Sequence, residues 1–262
     1  SFMTVKIAVT NQKGGVGKPT TAVNFAATLA KVNKKVLRID IDPQANATSA
    51  AGIEKNTKDS LYEFFENNLS LNACVVKASG GYEILPANSN LIATEKIIEQ
   101  TNYREKYFSK HLKKDTKKYD YILFDCPPSL NLLTINAMEY CKKVLVPVQC
   151  EYYALEGRVT LKSTIDQLNA ALGLKIEIVA ILRTMADWRN RLTREVSDQL
   201  EKHFKKTVLN TIIPRNVRLA EAPSYGQSIV DYDIKSIGAE AFFSLSGEFI
   251  RKFENGKKNI SK

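Results

Sequence analysis

Apolar residues along this chain fall into two alternating patterns. Short, nearly continuous runs read as buried strands: Val5-Lys6-Ile7-Ala8-Val9, Val36-Leu37-Arg38-Ile39, Tyr121-Ile122-Leu123-Phe124, and residues 144–148, 176–182 and 208–213. Between them lie stretches with apolar residues at helical spacing. Residues 20–32 carry Val23, Ala26, Ala27 and Ala30 on one face. Residues 60–67 predict a short helix with Asp59 as N-cap, and residues 91–114 a longer polar one. Residues 130–140, 154–172, 192–204 and 236–253 complete the helices, the third of them amphipathic. Strand–helix alternation of this kind predicts an α/β fold: a single doubly wound, mostly parallel sheet with helices on both faces. No internal repeat or Gly/Ser linker divides the chain, so residues 4–254 read as one domain. Ser1-Phe2 before Met3 reads as an expression scar, and residues 255–262 as a loose basic tail.

Composition narrows the classes. With 262 residues and 44% hydrophobic content, a sizeable core is affordable and disorder is not expected. No apolar run approaches the roughly 18 residues of a membrane helix, and no charged-then-apolar leader opens the chain. A cytoplasmic protein is expected. Cys74, Cys126, Cys141 and Cys150 lack C-x-x-C spacing and read as buried, reduced thiols. The net charge of +10 favours polyanions, either nucleic acid or an anionic membrane surface. The bland alternative is a merely basic soluble protein.

Asn11-Gln12-Lys13-Gly14-Gly15-Val16-Gly17-Lys18-Pro19-Thr20-Thr21 stands between the first strand and the first helix. Glycines let a backbone curl so that several N–H groups converge on phosphate, and a helix N-terminus adds partial positive charge. Lys18 then reaches the outer phosphates. This strand–loop–helix placement makes the segment a phosphate loop, with Gly14, Gly15, Val16, Gly17, Lys18, Pro19 and Thr20 at the nucleotide. Pro19 occupies the place where a Ser or Thr hydroxyl ordinarily ligates Mg²⁺, and it has neither a hydroxyl nor an N–H. A helix's first turn tolerates it, so the fold should survive while magnesium and phosphate binding weaken.

Two carboxylate motifs follow. In Asp40-Ile41-Asp42-Pro43-Gln44, Asp40 and Asp42 share a face at the strand's carboxyl end, the edge where open parallel sheets bind ligands. A turn rich in Asp, Pro and Asn is the alternative reading. Tyr121-Ile122-Leu123-Phe124-Asp125-Cys126-Pro127-Pro128 has the shape of a Walker B strand, in which Asp125 holds a metal-bound water. Downstream, Arg183, Arg189, Arg191 and Arg194 crowd one region, and Lys202, Lys205 and Lys206 follow. Such clusters bind phosphates without reading bases. A scattered, solvated basic surface is the alternative. Trp188 is expected in packing or at a dimer contact.

The Lys-Gly-Gly-x-x-Lys loop, Asp-x-Asp-Pro-Gln, Asp-Cys-Pro-Pro-Ser and Ile213-Pro214-Arg215-Asn216-Val217-Arg218-Leu219-Ala220-Glu221-Ala222-Pro223 together resemble the ParA/Soj family of partition ATPases, from Lys6 to Tyr232. The resemblance implies an ATP-dependent ATPase using Mg²⁺. Lys13 would cross a homodimer interface to the partner's nucleotide, with Lys13, Lys18 and Asp42 catalytic and Asp42 positioning the attacking water. Asp40 and Asp125 would support the magnesium shell, and Pro214 and Asn216 would contact adenine. Arg218 would lie on the DNA face with Arg189, Arg191, Lys202, Lys205 and Arg215. It further implies nucleoid-associated, non-specific binding to double-stranded DNA and release on slow hydrolysis stimulated by a ParB-type partner.

Two rivals remain. A MinD-like membrane ATPase needs an amphipathic C-terminal helix; Phe249-Ile250-Arg251-Lys252-Phe253 is the only candidate, and Glu254 and Asn255 interrupt it, so stable membrane binding is not expected. A DNA-binding relative in which Pro19 has removed hydrolysis is the other. A metabolic P-loop ligase fits neither the Pro-Arg-Asn-Val-Arg segment nor the basic surface.

Overall fold

The computed structural model describes residues 3–10, 20–42, 60–112, 116–150 and 154–255. Its strands are β1 (Val5–Thr10), β2 (Val36–Asp40), β3 (Val76–Lys77), β4 (Glu83–Leu85), β5 (Tyr121–Cys126), β6 (Lys143–Gln149), β7 (Glu177–Ala186) and β8 (Val208–Pro214). They form one eight-stranded sheet in the order β3-β4-β2-β5-β1-β6-β7-β8, parallel throughout except for the β3–β4 edge pair. The six long strands are those the apolar runs predict. The two short strands β3 and β4 are too brief to leave a periodic signal.

The helices are α1 (Thr20–Lys31), α2 (Leu61–Glu66), α3 (Leu71–Cys74), α4 (Leu91–Glu99), α5 (Tyr107–His111), α6 (Leu132–Cys141), α7 (Ala154–Leu172), α8 (Arg191–His203), α9 (Val217–Glu221), α10 (Ile229–Asp233) and α11 (Ile237–Ile250). Strand alternation sends Ile7, Val9, Tyr121 and Leu123 into one core with α1 and α11. Ala8, Ile122 and Phe124 enter the opposite core with α4, α5 and α6. Helices therefore cover both faces.

Two expectations need correction. The helix predicted over residues 91–114 is broken: α4 ends at Glu99, a short 3-10 turn spans Arg104–Lys106, and α5 starts at Tyr107. Thr101 donates its hydroxyl to the Ile98 carbonyl at 2.8 Å, one of the local bonds that compete with helix continuation. Asn136 then fixes the break, donating to the Arg104 carbonyl at 2.6 Å and accepting from Phe108 N–H at 3.0 Å. Ser60, not Asp59, is the N-cap of α2, in a capping box with Glu63; Asp59 itself lies outside the described residues.

All four cysteines are buried, and none is in a disulfide. No helix of the described residues is long and apolar enough to cross a membrane. The C-terminal candidate for a lipid-facing helix is committed elsewhere: Phe249 is fully buried against Phe25, with ring centroids 4.8 Å apart, and Ile250 and Phe253 pack on the same core.

Candidate functional site

β1 is the point where the winding reverses: β2 and β4 lie beyond β5 on one side, and β6, β7 and β8 on the other. Ligands in open parallel sheets bind outside the carboxyl ends at such a point. β1 ends at Thr10 and α1 starts at Thr20. Lys13, Gly14, Gly15, Val16, Gly17, Lys18 and Pro19 lie between them, outside the described residues, as does the side chain of Thr20. The flanks nevertheless supply the central strand and the helix N-terminus that a phosphate loop requires. The buried Thr10 hydroxyl, with no hydrogen-bond partner among the described residues, stands at the loop's entrance.

Helix α1 is held firmly. Asn24 Oδ1 accepts the Ile229 N–H at 2.8 Å, tying α1 to α10. The Thr28 and Ser246 hydroxyls meet at 2.7 Å, tying it to α11. Buried polar contacts of this kind fix register, because breaking one strands a desolvated partner.

Asp40 and Asp125 are cross-strand partners on β2 and β5, and Val9 of β1 pairs with Asp125 on its other side. Asp42 follows two residues beyond Asp40, and its N–H donates to Asp40 Oδ1 at 3.0 Å. The structure thus brings Asp40, Asp42 and Asp125 together beside the carboxyl end of β1. Asp40 and Asp125 are buried, and Asp42 is half-buried.

Sequence reasoning took Arg38 only as part of a strand, and it belongs to this site. It is fully buried, and its Nη1 lies 3.2 Å from Asp125 Oδ2. It also hydrogen-bonds Tyr82, whose ring centroid is 5.6 Å from the guanidinium carbon. Burial pushes the Asp125 carboxyl well up; Arg38 pulls it back down, and Asp40 and Asp42 push it up again. Among the described residues, Arg38 is a cation set against this acidic group. The available signal was a charged residue where an apolar strand should continue toward Asp40.

These carboxylate oxygens are hard donors suited to Mg²⁺. No group of three acidic, His or Cys side chains among the described residues makes a cage of its own.

At the end of β8, Asn216 caps α9, its Oδ1 accepting the Leu219 N–H at 3.1 Å. With Oδ1 committed, Asn216 has its amide NH₂ to offer a base, and Pro214 closes the strand beside it. Gly238 backs this turn: a Cβ there would lie 2.5 Å from Leu219 Cγ and 3.0 Å from Asn216 Oδ1. Gly238→Ala is expected to lower unfolding stability by about 1–3 kcal/mol by displacing α9. Thermal unfolding of this variant checks the fit; an unchanged midpoint would mean that the turn yields freely.

The basic residues divide. Ala186 pairs with Pro214 and the Arg215 N–H donates to the Ala186 carbonyl at 2.9 Å, so Arg189, Arg215 and Arg218 stand along neighbouring strand ends. Arg191 opens α8 at that same edge. Lys202 closes α8, about 17 Å further along the helix, with Lys205 beyond it. Arg183, grouped with these residues in the sequence, is instead a core residue: it is 3% exposed, donating to Ser197, Glu201 and the Leu209 carbonyl. Trp188 is half-exposed rather than packed.

Residues 4–178 match the family model described as an AAA domain. The chain is 44% identical to the sporulation initiation inhibitor protein Soj of Bacillus subtilis, covering 92% of this chain and 96% of Soj. It is 42% identical to the chromosome partitioning protein ParA of Myxococcus xanthus over 94% of this chain and 88% of that one. Among solved structures, cobyrinic acid a,c-diamide synthase from Mycobacterium smegmatis with bound ADP and magnesium superposes with a TM-score of 0.83 at 30% identity, covering 97% of each chain. Sequence relatedness along nearly the whole chain, on a parallel α/β sheet of this kind, places this protein in the ParA/Soj family of chromosome-partitioning ATPases.

Proposed function

We propose that this protein is an ATP-gated DNA-partition switch. The observation that carries the reading is the meeting of Asp40, Asp42 and Asp125 at the carboxyl edge where β1 runs into the phosphate loop. ATP would lie on the backbone of residues 14–17 and on Lys18 and Thr20, with Pro214 and Asn216 at the adenine. Asp40 and Asp125 would hold Mg²⁺ through water, and Arg38 would steady Asp125 from beneath. The metal, when bound, supplies charge neutralisation between the phosphates. Asp42 would orient the attacking water, and Lys13 would reach the nucleotide of a second copy, so the ATP-bound state is a homodimer. Hydrolysis is then slow, because the transition-state charge waits for a lysine supplied in trans.

The dimer would hold double-stranded DNA through phosphate contacts by Arg189, Arg191, Arg215 and Arg218, with Lys202 and Lys205 adding to the field. A ParB-type partner would speed hydrolysis and release it. Such a protein works in the cytoplasm on the nucleoid. Against a lipid-bound ATPase stands the burial of Phe249 in the core. Against an amide-forming synthetase stands the higher identity to the partition proteins than to the synthetase.

The test is DNA retention across a salt series with ATP, ADP or no nucleotide, on this chain and on Pro19→Thr. Retention only with ATP is expected, and Pro19→Thr should tighten Mg·ATP binding at least about tenfold, the scale of losing a magnesium contact. Retention indifferent to nucleotide in both proteins would point to a DNA-binding relative without ATP control. No retention in either would remove DNA from the reading.

A further inference from the structure

The arginines of the proposed DNA face are already occupied. Arg189, 90% exposed, makes a forked pair with Asp187: Nε and Nη2 each lie 3.0 Å from one carboxylate oxygen. Arg218 has Nη1 at 3.4 Å from Glu221 Oε2 and Nε at 3.5 Å from Asp233 Oδ2. The Tyr232 hydroxyl donates to that same Glu221 oxygen at 2.5 Å, and the Tyr232 ring stacks on Tyr225 with centroids 5.3 Å apart. Glu221 is therefore held in place from behind. Arg191 is likewise paired, with Glu195, at 2.9 Å.

A planar guanidinium offers one fork, and carboxylate and phosphate compete for it with the same geometry. An arginine whose fork is filled by its own chain must give up that partner before it grips a DNA phosphate. Exposed pairs of this kind are weak, so exchange is easy, yet each one lowers the net affinity by its own strength. The carboxylates also cancel much of the local positive field that draws DNA in.

We propose that Asp187, Glu221 and Asp233 set the strength of the phosphate-binding face by holding Arg189 and Arg218 in ion pairs that DNA phosphate must displace. This rests on the DNA-partition reading and names the residues that govern its affinity. It accounts for a basic protein whose DNA-facing arginines are locally neutralised: binding is kept weak enough to be released. The carboxylates act as positioning residues through the arginines.

The experiment is fluorescence anisotropy on a short, mixed-sequence DNA duplex at saturating ATP, across a salt series. The variants are Asp187→Asn and Asp233→Asn, with Glu177→Gln as control. Glu177 is exposed at the opposite, amino end of β7 and carries the same charge change away from the face. Asn at position 187 retains the oxygen that accepts the Arg189 backbone N–H, so the turn is kept. Asp187→Asn should tighten binding about threefold to tenfold near physiological salt, with a salt slope steeper by up to about one as Arg189 is released to a phosphate, and Asp233→Asn, which leaves Arg218 its Glu221 partner, about twofold to threefold. Glu177→Gln should change affinity less than twofold. Equal effects from all three variants, or no tightening by either Asp variant, would overturn the proposal while leaving the DNA reading intact. Failure of the parent chain to bind the duplex at any salt would overturn both.

Discussion

Arg38→Met should be among the most destabilising single substitutions in this protein, lowering unfolding stability by about 3–5 kcal/mol. The guanidinium is fully buried, and its partner Asp125 is 2% exposed. Methionine fills much of the same space, so the loss is electrostatic rather than a cavity. What remains is the desolvated Asp125 carboxyl with Asp40 and Asp42 nearby, both of which disfavour its charged form. In urea the midpoint should fall by more than about 1 M at an unchanged slope. The double variant Arg38→Met/Asp125→Asn separates this account from a simple packing role. Removing the stranded charge should recover at least about half of the loss, because a buried pair is worth far less than the penalty for breaking it. If the double variant is no more stable than Arg38→Met, Arg38 acts through its contact with Tyr82 instead.

Arg38 also marks where the sequence stopped being legible. The six long strands were readable because strands buried on both faces must be apolar along their whole length. The site carboxylates were readable for the complementary reason: Asp40 and Asp125 end such runs, where a charge has no structural excuse. Arg38 interrupts a run instead of ending it, and only the register of β2 against β5 shows which carboxylate compensates it. Arg183 misleads in the opposite direction. It sits in a string of arginines, yet strand alternation turns it inward to Ser197, Glu201 and Leu209 while Arg189 and Arg191 stay in solvent. Periodicity failed at residues 91–114 because the break there is enforced from another element by Asn136, which nothing local announces. The short helices α9 and α10 went unread for want of length, although Asn216 and Ser228 cap them with their own side chains.

Asp42→Asn should reduce ATP turnover by about a hundredfold or more while leaving the fold and nucleotide binding in place. The expectation comes from its position. Asp40 and Asp125 are buried on paired strands, where they are suited to hold a metal shell rigidly. Asp42 lies one step outside them, half-buried, and its link to Asp40 uses the backbone N–H rather than the carboxylate. At the mouth of the site, asparagine preserves the shape of this side chain and its backbone bond to Asp40 while losing the negative charge that would orient a water. The variant should bind ATP with nearly the affinity of the parent and remain on DNA once loaded, since release in the proposed cycle requires hydrolysis. The informative measurement is single-turnover hydrolysis alongside DNA dissociation after an excess of ADP is added. Slow hydrolysis with slow dissociation supports the assignment. Turnover equal to the parent's would move water orientation to another residue. Lost Mg·ATP binding would move Asp42 into the magnesium shell with Asp40 and Asp125, and the three carboxylates would then serve one role rather than two.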